Sequence, residues 1–478
     1  MFIFNTIFNL QNDCFKKYFF TLCALLFCLQ SHATQQAQSF QAELLQIDQM
    51  DQDFKQAFYK LLLAKNANIT SKFTDIEALK IAVDGFAKEP IQRIKLIEIN
   101  LNLINDNYDH PDVYFFIKML LDNNSLAAAK SIITNIEEQA DMTTIVHSHY
   151  LLANFYFQRH QWENTLKYLQ EDGSNLTTDV YQHRLLIKGY ALQKLSKHRQ
   201  AQKTYKKIPT DSEYYYTAQF NIALANLRQG WWSEAHDIIK TLSKQEKIKG
   251  NENALNRLYI TLGYSLLNKG YYRNANNTFQ KVEIDSYYSD QALLGIALTA
   301  AQQDDYLSAL SASRILKNRS RDNLPIDESY LLMPFFYEKS QQWMTASTGY
   351  LEASHYYQKK IALISKKIKQ PINLLKHPIT MTDRIEVNID TINIDFSANY
   401  PEYFFVNNQT LSPYKSLITT LNNKNLTLKF NKLQNAYSQL IQSMVTEILN
   451  LKRDSLNSYL DQTRYGLARL FDNNTDNK

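Results

Sequence analysis

The feature that most constrains this chain is a helix-hairpin pattern that recurs six times between residues 141 and 353. Its clearest copy, residues 259–279, reads YITLGYSLLNKGYYRNANNTF, and in it Ala275 follows Tyr272 by three positions. Five of the copies place a small residue at this distance from an aromatic one. The small residues stand at positions 165, 201, 235, 275, 309 and 346, which are 36, 34, 40, 34 and 37 apart. A repeat near 34 residues built of two helices predicts a stacked array, since one hairpin alone leaves an apolar face exposed.

The residue types in the pattern have a steric explanation. Two helices that cross closely need a small side chain at the contact, which Gly263 and Ala275 supply. Large aromatic side chains then fill the wedges between successive hairpins. Gly230 and Gly270 end first helices, where the backbone is expected to take a positive φ.

This pattern resembles the tetratricopeptide repeat, which has Leu-Gly/Ala-x-x-Tyr in its first helix and Gly-x-Tyr-x-x-Ala with an aromatic residue in its second. The chain departs from it at Thr165, Lys188, His198 and Pro334, and Pro334 is expected to kink or shorten a helix. The resemblance implies an all-α fold, a right-handed superhelical solenoid of TPR-like helix hairpins. Helical hairpins of another solenoid class are the alternative.

Four further parts surround the repeats. Residues 1–33 are predicted to be a signal peptide, 34–140 N-terminal helical hairpins or a cap, and 141–368 the array itself. Residues 369–412 are predicted to be an irregular insertion and 413–478 a C-terminal helical cap. Apolar residues at 3–4 spacing predict helices over 39–63 and 91–104, and a weaker hairpin is predicted around Ala128.

The segment after residue 368 changes character. It holds four of the nine prolines within 45 residues, and apolar residues alternate with polar ones at 385–389 and 392–396. Strands and an ordered loop are equally compatible with this pattern. From Thr420 to Leu470 there is no proline, and apolar side chains at 3–4 spacing predict a long amphipathic helix. It is expected to cover the last hairpin, with a coiled-coil partner helix as the alternative.

The N-terminus indicates export. Lys16 and Lys17 precede an apolar run of about 12 residues, shorter than the roughly 20 that span a bilayer, and Ala33 ends a small-x-small cleavage site. All three cysteines lie in this leader, so the chain from Thr34 onward has none. We therefore predict a periplasmic protein with a cleaved signal peptide. Anchoring in the inner membrane through an uncleaved N-terminal segment is the alternative.

No catalytic or metal-binding motif is present in the sequence. There is no phosphate-binding glycine loop, no His-Glu-x-x-His, no Cys-x-x-Cys and no Gly-x-Ser-x-Gly. His147 and His149 are two apart and would face different sides of a helix. We therefore expect no enzymatic activity, no cofactor, no metal and no small-molecule substrate. The net charge of +5 is spread along the chain and does not suggest nucleic acid.

The expected functional surface is the inner groove. In tetratricopeptide arrays the first helix of each hairpin lines the concave side, and aromatic and arginine side chains usually dominate interface energy. The groove would include His147, Tyr150, Phe157, Gln158, His183, Leu186, Gln193, Phe220, Leu224 and Asn268. The candidate partner-binding residues are Tyr190, Lys194, Arg228, Tyr264, Arg257 and Asn154. Leu186, Phe220 and Leu224 can instead simply pack between hairpins.

These observations favour a non-catalytic periplasmic scaffold that binds a protein or peptide partner in its concave groove. The alternative is a structural subunit of an envelope machine for secretion, pilus assembly or polysaccharide export. An enzyme that cleaves glycans is a third class, and no motif supports it. Lys359, Lys360, Lys366 and Lys367 leave peripheral membrane association as a minor alternative to a solvated basic face.

Overall fold

The computed structural model describes residues 40–65, 73–244, 252–370, 378–381, 384–397 and 400–475. The predicted leader, with its three cysteines, lies outside these residues. The described part is helical throughout, apart from one three-stranded sheet. The predicted all-α solenoid of TPR-like hairpins is confirmed. No helix in this part of the chain is both long enough and apolar enough to cross a bilayer.

The N-terminal helices precede the repeated hairpins. They are α1 (Gln41–Lys65), α2 (Ile76–Gly85), α3 (Pro90–Ile99) and α4 (Leu101–Asp106). The single apolar stretch at 91–104 thus forms two helices, which meet at the buried Asn100. Its amide accepts a hydrogen bond from the Phe73 N–H and donates one to the Leu96 carbonyl.

Seven helix pairs follow in sequence. The first is α5 (Val113–Asp122) with α6 (Leu126–Gln139), the weaker hairpin expected around Ala128. Its buried small residue is the neighbouring Ala129, whereas Ala128 is only half-buried. The other six pairs are α7 (Met142–Gln158) with α8 (Trp162–Lys167), α9 (Thr178–Lys194) with α10 (His198–Tyr205), α11 (Tyr215–Gln229) with α12 (Trp232–Leu242), α13 (Glu252–Asn268) with α14 (Tyr272–Phe279), α15 (Ser289–Ala301) with α16 (Tyr306–Lys317), and α17 (Leu324–Lys339) with α18 (Trp343–Ile368).

The small residues that revealed the repeat lie at the helix contacts. All six, from Thr165 to Ala346, are fully buried. A Cβ on Gly263 would lie 2.5 Å from the ring of Phe279, and a Cβ on Gly295 in the next hairpin would lie 2.4 Å from the same ring. One aromatic side chain therefore packs against two consecutive first helices, and this sets the spacing between hairpins.

Every hairpin turns through a residue with positive φ. Gly230 and Gly270 adopt it as expected, with φ of 76° and 82°. Five residues with side chains do the same at the equivalent position of the other hairpins, namely Asn124, His160, Ser196, Asp304 and Gln341. The turn therefore keeps its positive φ even where the sequence has no glycine, the residue that adopts this conformation most easily.

Ser196→Gly is expected to stabilise the chain by about 0.5–1 kcal/mol, because glycine removes the Cβ strain of the left-handed backbone and this outweighs its extra flexibility when unfolded. Ser196 is exposed, has φ 60° and loses no other packing in the substitution. The midpoint of urea unfolding measures the gain. Ser243→Gly, at an exposed residue with φ −65°, is the control and should destabilise. A lower midpoint for Ser196→Gly would contradict the expectation.

Pro334 lies inside α17, and the helix is not shortened there. It continues from Leu324 to Lys339, although proline cannot donate the backbone hydrogen bond of a helix interior. Gly349 of α18 faces the proline ring, and a Cβ on Gly349 would lie only 2.9 Å from the Pro334 Cβ. The glycine thus leaves the space that the ring occupies.

The segment after α18 contains regular structure where the sequence left strands and a loop equally open. Three antiparallel strands run in the order β1 (Ile379–Met381), β2 (Ile385–Ile389) and β3 (Ile392–Asp395). Val387 pairs with Ile394 and both are buried, as the alternation of apolar residues requires. Three helices follow, α19 (Glu402–Thr410), α20 (Ser412–Leu421) and the 52-residue α21 (Lys424–Thr475).

The long predicted C-terminal helix is thus confirmed as α21. Its C-terminal half takes the place that the first helix of one more hairpin would occupy. A Cβ on Gly466 would lie 2.6 Å from the ring of Tyr350, the same contact that Gly295 makes with Phe279. Arg469 also pairs with Glu338 at 2.7 Å. The last hairpin is therefore covered by the chain itself.

The N-terminal half of α21 packs against α1. The rings of Phe54 and Phe430 are 5.4 Å apart, and Lys65 at the end of α1 donates a hydrogen bond to the Leu421 carbonyl. The Tyr59 and Tyr414 hydroxyls lie 3.0 Å apart. This one helix therefore contacts both the first helix of the described chain and the last hairpin, which lie more than 250 residues apart in sequence.

Candidate partner-binding surface

The four exposed residues Gln158, Lys194, Arg228 and Asn268 occupy equivalent positions at the ends of first helices α7, α9, α11 and α13. Lys194 and Arg228 are separated by 34 residues, the same interval as between the buried Ala201 and Ala235. The repeat thus brings these polar side chains into one row along the array.

An aromatic bed lies beside the row. This aromatic bed consists of the rings of Phe157, Trp162 and Tyr190. The Tyr190 ring centroid lies 5.3 Å from that of Phe157 and 5.7 Å from that of Trp162. The Lys194 Nζ is 5.3 Å from the Tyr190 ring centroid and 5.8 Å from that of Trp162. The rings hold the Lys194 side chain by cation–π attraction, while the residue as a whole stays exposed. All three rings remain half-buried.

Two histidines border this surface and are neutral at pH 7. His160 stacks on Trp162 with ring centroids 4.8 Å apart, and burial together with the charge of Lys194 lowers the pKa of His160 to about 4. Burial and the charge of Arg228 lower the pKa of His198 as well. The positive potential of this region therefore comes from the lysine and arginine side chains.

Arg228 lies close enough to Arg257 for the two positive charges to repel one another. Partial desolvation against the helices, and then the positive charge of Arg257, lower the pKa of the Arg228 guanidinium. An arginine nevertheless stays charged at any physiological pH. The lowered pKa of Arg228 thus reflects first the burial of its guanidinium and second its repulsion from the charge of Arg257.

No carboxylate of the described residues forms an ion pair with Lys194, Arg228 or Arg257. The later hairpins differ. Lys317 contacts Glu352 at 2.7 Å, and Arg319 contacts the buried Asp290 at 2.6 Å. Two of the four lysines that left membrane contact open are paired, since Lys360 contacts Asp322 at 2.7 Å and Lys367 contacts Asp390. Lys194, Arg228 and Arg257 therefore carry positive charge that no carboxylate of the described residues neutralises by direct contact.

Tyr264 has a packing role in the structure. Its hydroxyl donates a hydrogen bond to the Gln291 carbonyl at 2.8 Å, and its ring packs edge-on against Phe279 at 4.9 Å. It joins hairpin α13–α14 to the next one, so substituting it would change packing as well as the groove. Its predicted role in partner binding stays a prediction, and so does that of Asn154, which is half-buried on α7.

The groove histidines take part in contacts between hairpins. His147 stacks on Tyr114 at 3.7 Å, and the Tyr150 hydroxyl lies 2.7 Å from His183 Nδ1. Burial lowers the pKa of His147 to about 4. These contacts link first helices α5, α7 and α9. Within the described residues no group of three or more His, Cys, Asp or Glu side chains could hold a metal ion.

The sequence pattern predicts the cations of this surface and two of the three rings of its bed, Phe157 and Tyr190. It does not predict that Trp162 and His160 lie beside them. The signal that could have found them is the spacing itself. His160 stands in the turn directly after Gln158 and Trp162 begins α8, so both lie close to the end of α7.

Comparison with known proteins gives similarity to solved structures alone. No family model matches the chain, and no curated protein matches it. The chain is similar to PilF from Pseudomonas aeruginosa, at 15% identity over 48% of this chain and 97% of that one, with a TM-score of 0.32. It is also similar to a tetratricopeptide repeat protein from Parabacteroides merdae, at 12% identity over 52% and 91%, with a TM-score of 0.34.

A third similar structure is a Rap protein complexed with competence and sporulation factor, at 12% identity over 74% of this chain and 99% of that one. Its TM-score is 0.27. Similarities at this level carry no argument about what the present chain binds. The arrangement of its own side chains has to supply that argument.

Proposed function

We propose that this chain is a non-catalytic scaffold that binds a protein or peptide partner along the concave face of hairpins α7 to α13. The observation that carries the proposal is the row of exposed polar and cationic side chains beside half-buried aromatic rings. Aromatic and arginine side chains provide most of the binding energy at protein interfaces. A solenoid presents them as a continuous surface, which suits an extended segment better than a small molecule.

The periplasm is the proposed location. The lysine pair and apolar run at the N-terminus support export, and the absence of cysteine after residue 33 is compatible with an oxidising compartment.

The scaffold is preferred over a subunit that assembles through its C-terminal helix. The apolar stripe of α21 is already buried inside the chain, for example at Leu433, Tyr437 and Met444, and so is not available to a partner helix.

Tyr190→Ala is expected to weaken partner binding about tenfold or more, because it removes the ring at the centre of the aromatic bed. The measurement is site-specific photo-crosslinking in envelope extract, with the photoreactive residue placed at Gln158 on the concave side. The matched position is Lys203, exposed on the second helix α10. One protein crosslinked at Gln158, absent at Lys203 and lost with Tyr190→Ala, is the expected result. Equal crosslinking at both positions would reject the groove.

A further inference from the structure

The outer face of the C-terminal half of α21 is exposed where the earlier first helices are covered. Gly466 corresponds to Gly295 of α15, since both pack against an aromatic ring of the preceding second helix. Two positions after that glycine, Ala297 of α15 is fully buried, because the second helix α16 packs against α15. The equivalent Ala468 of α21 is exposed, and Tyr465 on the same face is 53% exposed. No second helix of the described residues therefore covers this face of α21.

The exposed residues of this part of α21 form one stripe, which we call the outer stripe. They are Asp461, Arg464, Tyr465, Ala468, Phe471 and Asp472. Because an α-helix has 3.6 residues per turn, Ala468 lies on the midline of the outer stripe. Arg464 and Phe471 lie along one of its edges. Tyr465 and Asp472 lie along the other edge, so the outer stripe has two different sides.

We infer that the outer stripe binds a second copy of this chain, with the two α21 helices antiparallel and Ala468 at a twofold axis. Around such an axis each edge of one helix lies beside the same edge of the other, with the chain direction reversed. Arg464 of one copy then lies beside Phe471 of the other, and the guanidinium can stack on the ring. Tyr465 likewise lies beside Asp472, and its hydroxyl can donate a hydrogen bond to the carboxylate. The symmetry forms each contact twice.

The residue types of the outer stripe favour this occupant and this orientation. Ala468 has a small side chain, so two helices can approach closely where they cross at the axis. A parallel pair would instead set Arg464 against Arg464 and Asp472 against Asp472, which is unfavourable. An anionic membrane would be repelled by Asp461 and Asp472. Charge complementarity therefore points to a second, antiparallel copy.

The size of the contact determines how tightly the two copies bind. Residues 461–472 extend over about 18 Å of helix, which is short for a specific interface. We therefore expect a reversible dimer with a Kd on the order of 10 µM. The dimer carries two copies of the candidate partner-binding surface of hairpins α7 to α13. The inference does not depend on what that surface binds.

The test is sedimentation velocity of the full chain over a concentration range from about 1 to 100 µM, which brackets the expected Kd. The parent chain is expected to shift from monomer to dimer in this range. Ala468→Arg and Ala468→Asp each set two like charges against one another at the axis, so either variant alone should dimerise at least about tenfold more weakly. An equimolar mixture of the two variants should recover the dimer, because arginine of one copy then faces aspartate of the other.

The matched control is Ala362→Arg, at an exposed alanine of the long helix α18, and it should dimerise like the parent chain. A parent chain that stays monomeric, or a dimer that persists in both Ala468 variants, would overturn the inference. A mixture of the two variants that stays monomeric would also overturn it, because residue 468 would then not face its own copy. Crosslinking at Gln158 tests the proposed scaffold function separately, so that function can stand where the dimer fails.

Discussion

Arg159→Ala is expected to destabilise the chain by about 3–5 kcal/mol, because it leaves buried charge without a partner. Arg159 is only 5% exposed, and its guanidinium contacts Asp48 at 3.2 Å and Asn124 at 2.8 Å. It also stacks over the rings of Phe155 and Tyr403. One side chain thus joins α1, the turn of hairpin α5–α6, the end of α7 and α19.

The rest of this buried cluster shows why the loss is large. Asn124 donates hydrogen bonds to Asp48 and Asp51, and the buried Lys55 pairs with Asp51 at 2.9 Å. Two carboxylates are therefore balanced by two cations in a region closed to water. Burial raises the pKa of Asp48 while the charge of Arg159 opposes that rise, so removing Arg159 would raise it further.

Urea unfolding at pH 7 and hydrogen exchange of α1 measure the effect. The control is Arg199→Ala on the exposed face of α10, which should change stability by less than about 0.5 kcal/mol. The Asp48→Ala/Arg159→Ala double variant should lose less than the sum of the single variants, since it removes the stranded charge as well. A midpoint for Arg159→Ala within error of the parent chain would contradict the role given to this cluster.

Glu328→Gln is expected to stabilise the chain by about 2–3 kcal/mol at pH 7. Glu328 of α17 is 1% exposed, and its Oε2 has no hydrogen-bond partner among the described residues. Burial raises the pKa of this carboxyl from 4.5 to about 8. Below about pH 4.5 the Glu328 carboxyl is protonated in both the folded and the unfolded chain, so its ionisation does not change the free energy of unfolding.

Between pH 4.5 and 8 the unfolded chain releases this proton while the folded chain keeps it, so stability falls as pH rises. Above about pH 8 the Glu328 carboxyl is ionised in both the folded and the unfolded chain, and stability falls no further with pH. Glutamine resembles the protonated acid and removes this slope. Glu338→Gln is the control and should lower the stability of the chain instead of raising it. Glu338 accepts hydrogen bonds from Arg469 at 2.7 Å and Tyr350 at 2.8 Å, and the substitution weakens them. Unchanged pH dependence of unfolding in Glu328→Gln would refute the assignment.

The hairpins could be predicted from the sequence because a steric contact recurs in each of them. A small side chain such as Ala275 and a ring such as Phe279 must alternate at fixed distances wherever two helices cross closely. The positive-φ turn was visible only at Gly230 and Gly270. Ser196 and Gln341 adopt the same positive φ, but their residue types do not predict it, since the packing of the hairpin imposes this conformation.

The contacts that join the ends of the chain could not be predicted in this way. Asp48 and Arg159 are separated by 111 residues, and a buried ion pair formed once has no period to detect. Arg159 occupies the end of a first helix, where a solvated side chain is the ordinary expectation. The candidate surface lies between these cases. The repeat predicts the row of Lys194 and Arg228, but only the structure shows that no carboxylate of the described residues pairs with them.

The position of α21 has a consequence for biosynthesis. Helix α1 emerges early, with Phe54 and Phe58 fully buried in the finished protein, yet the residues that cover them include Phe430 and Tyr414 near the end of the chain. The middle repeats can assemble pair by pair as they are made. The first helix must wait with its rings uncovered until the last segment has been synthesised. Until then its apolar surface is open to aggregation.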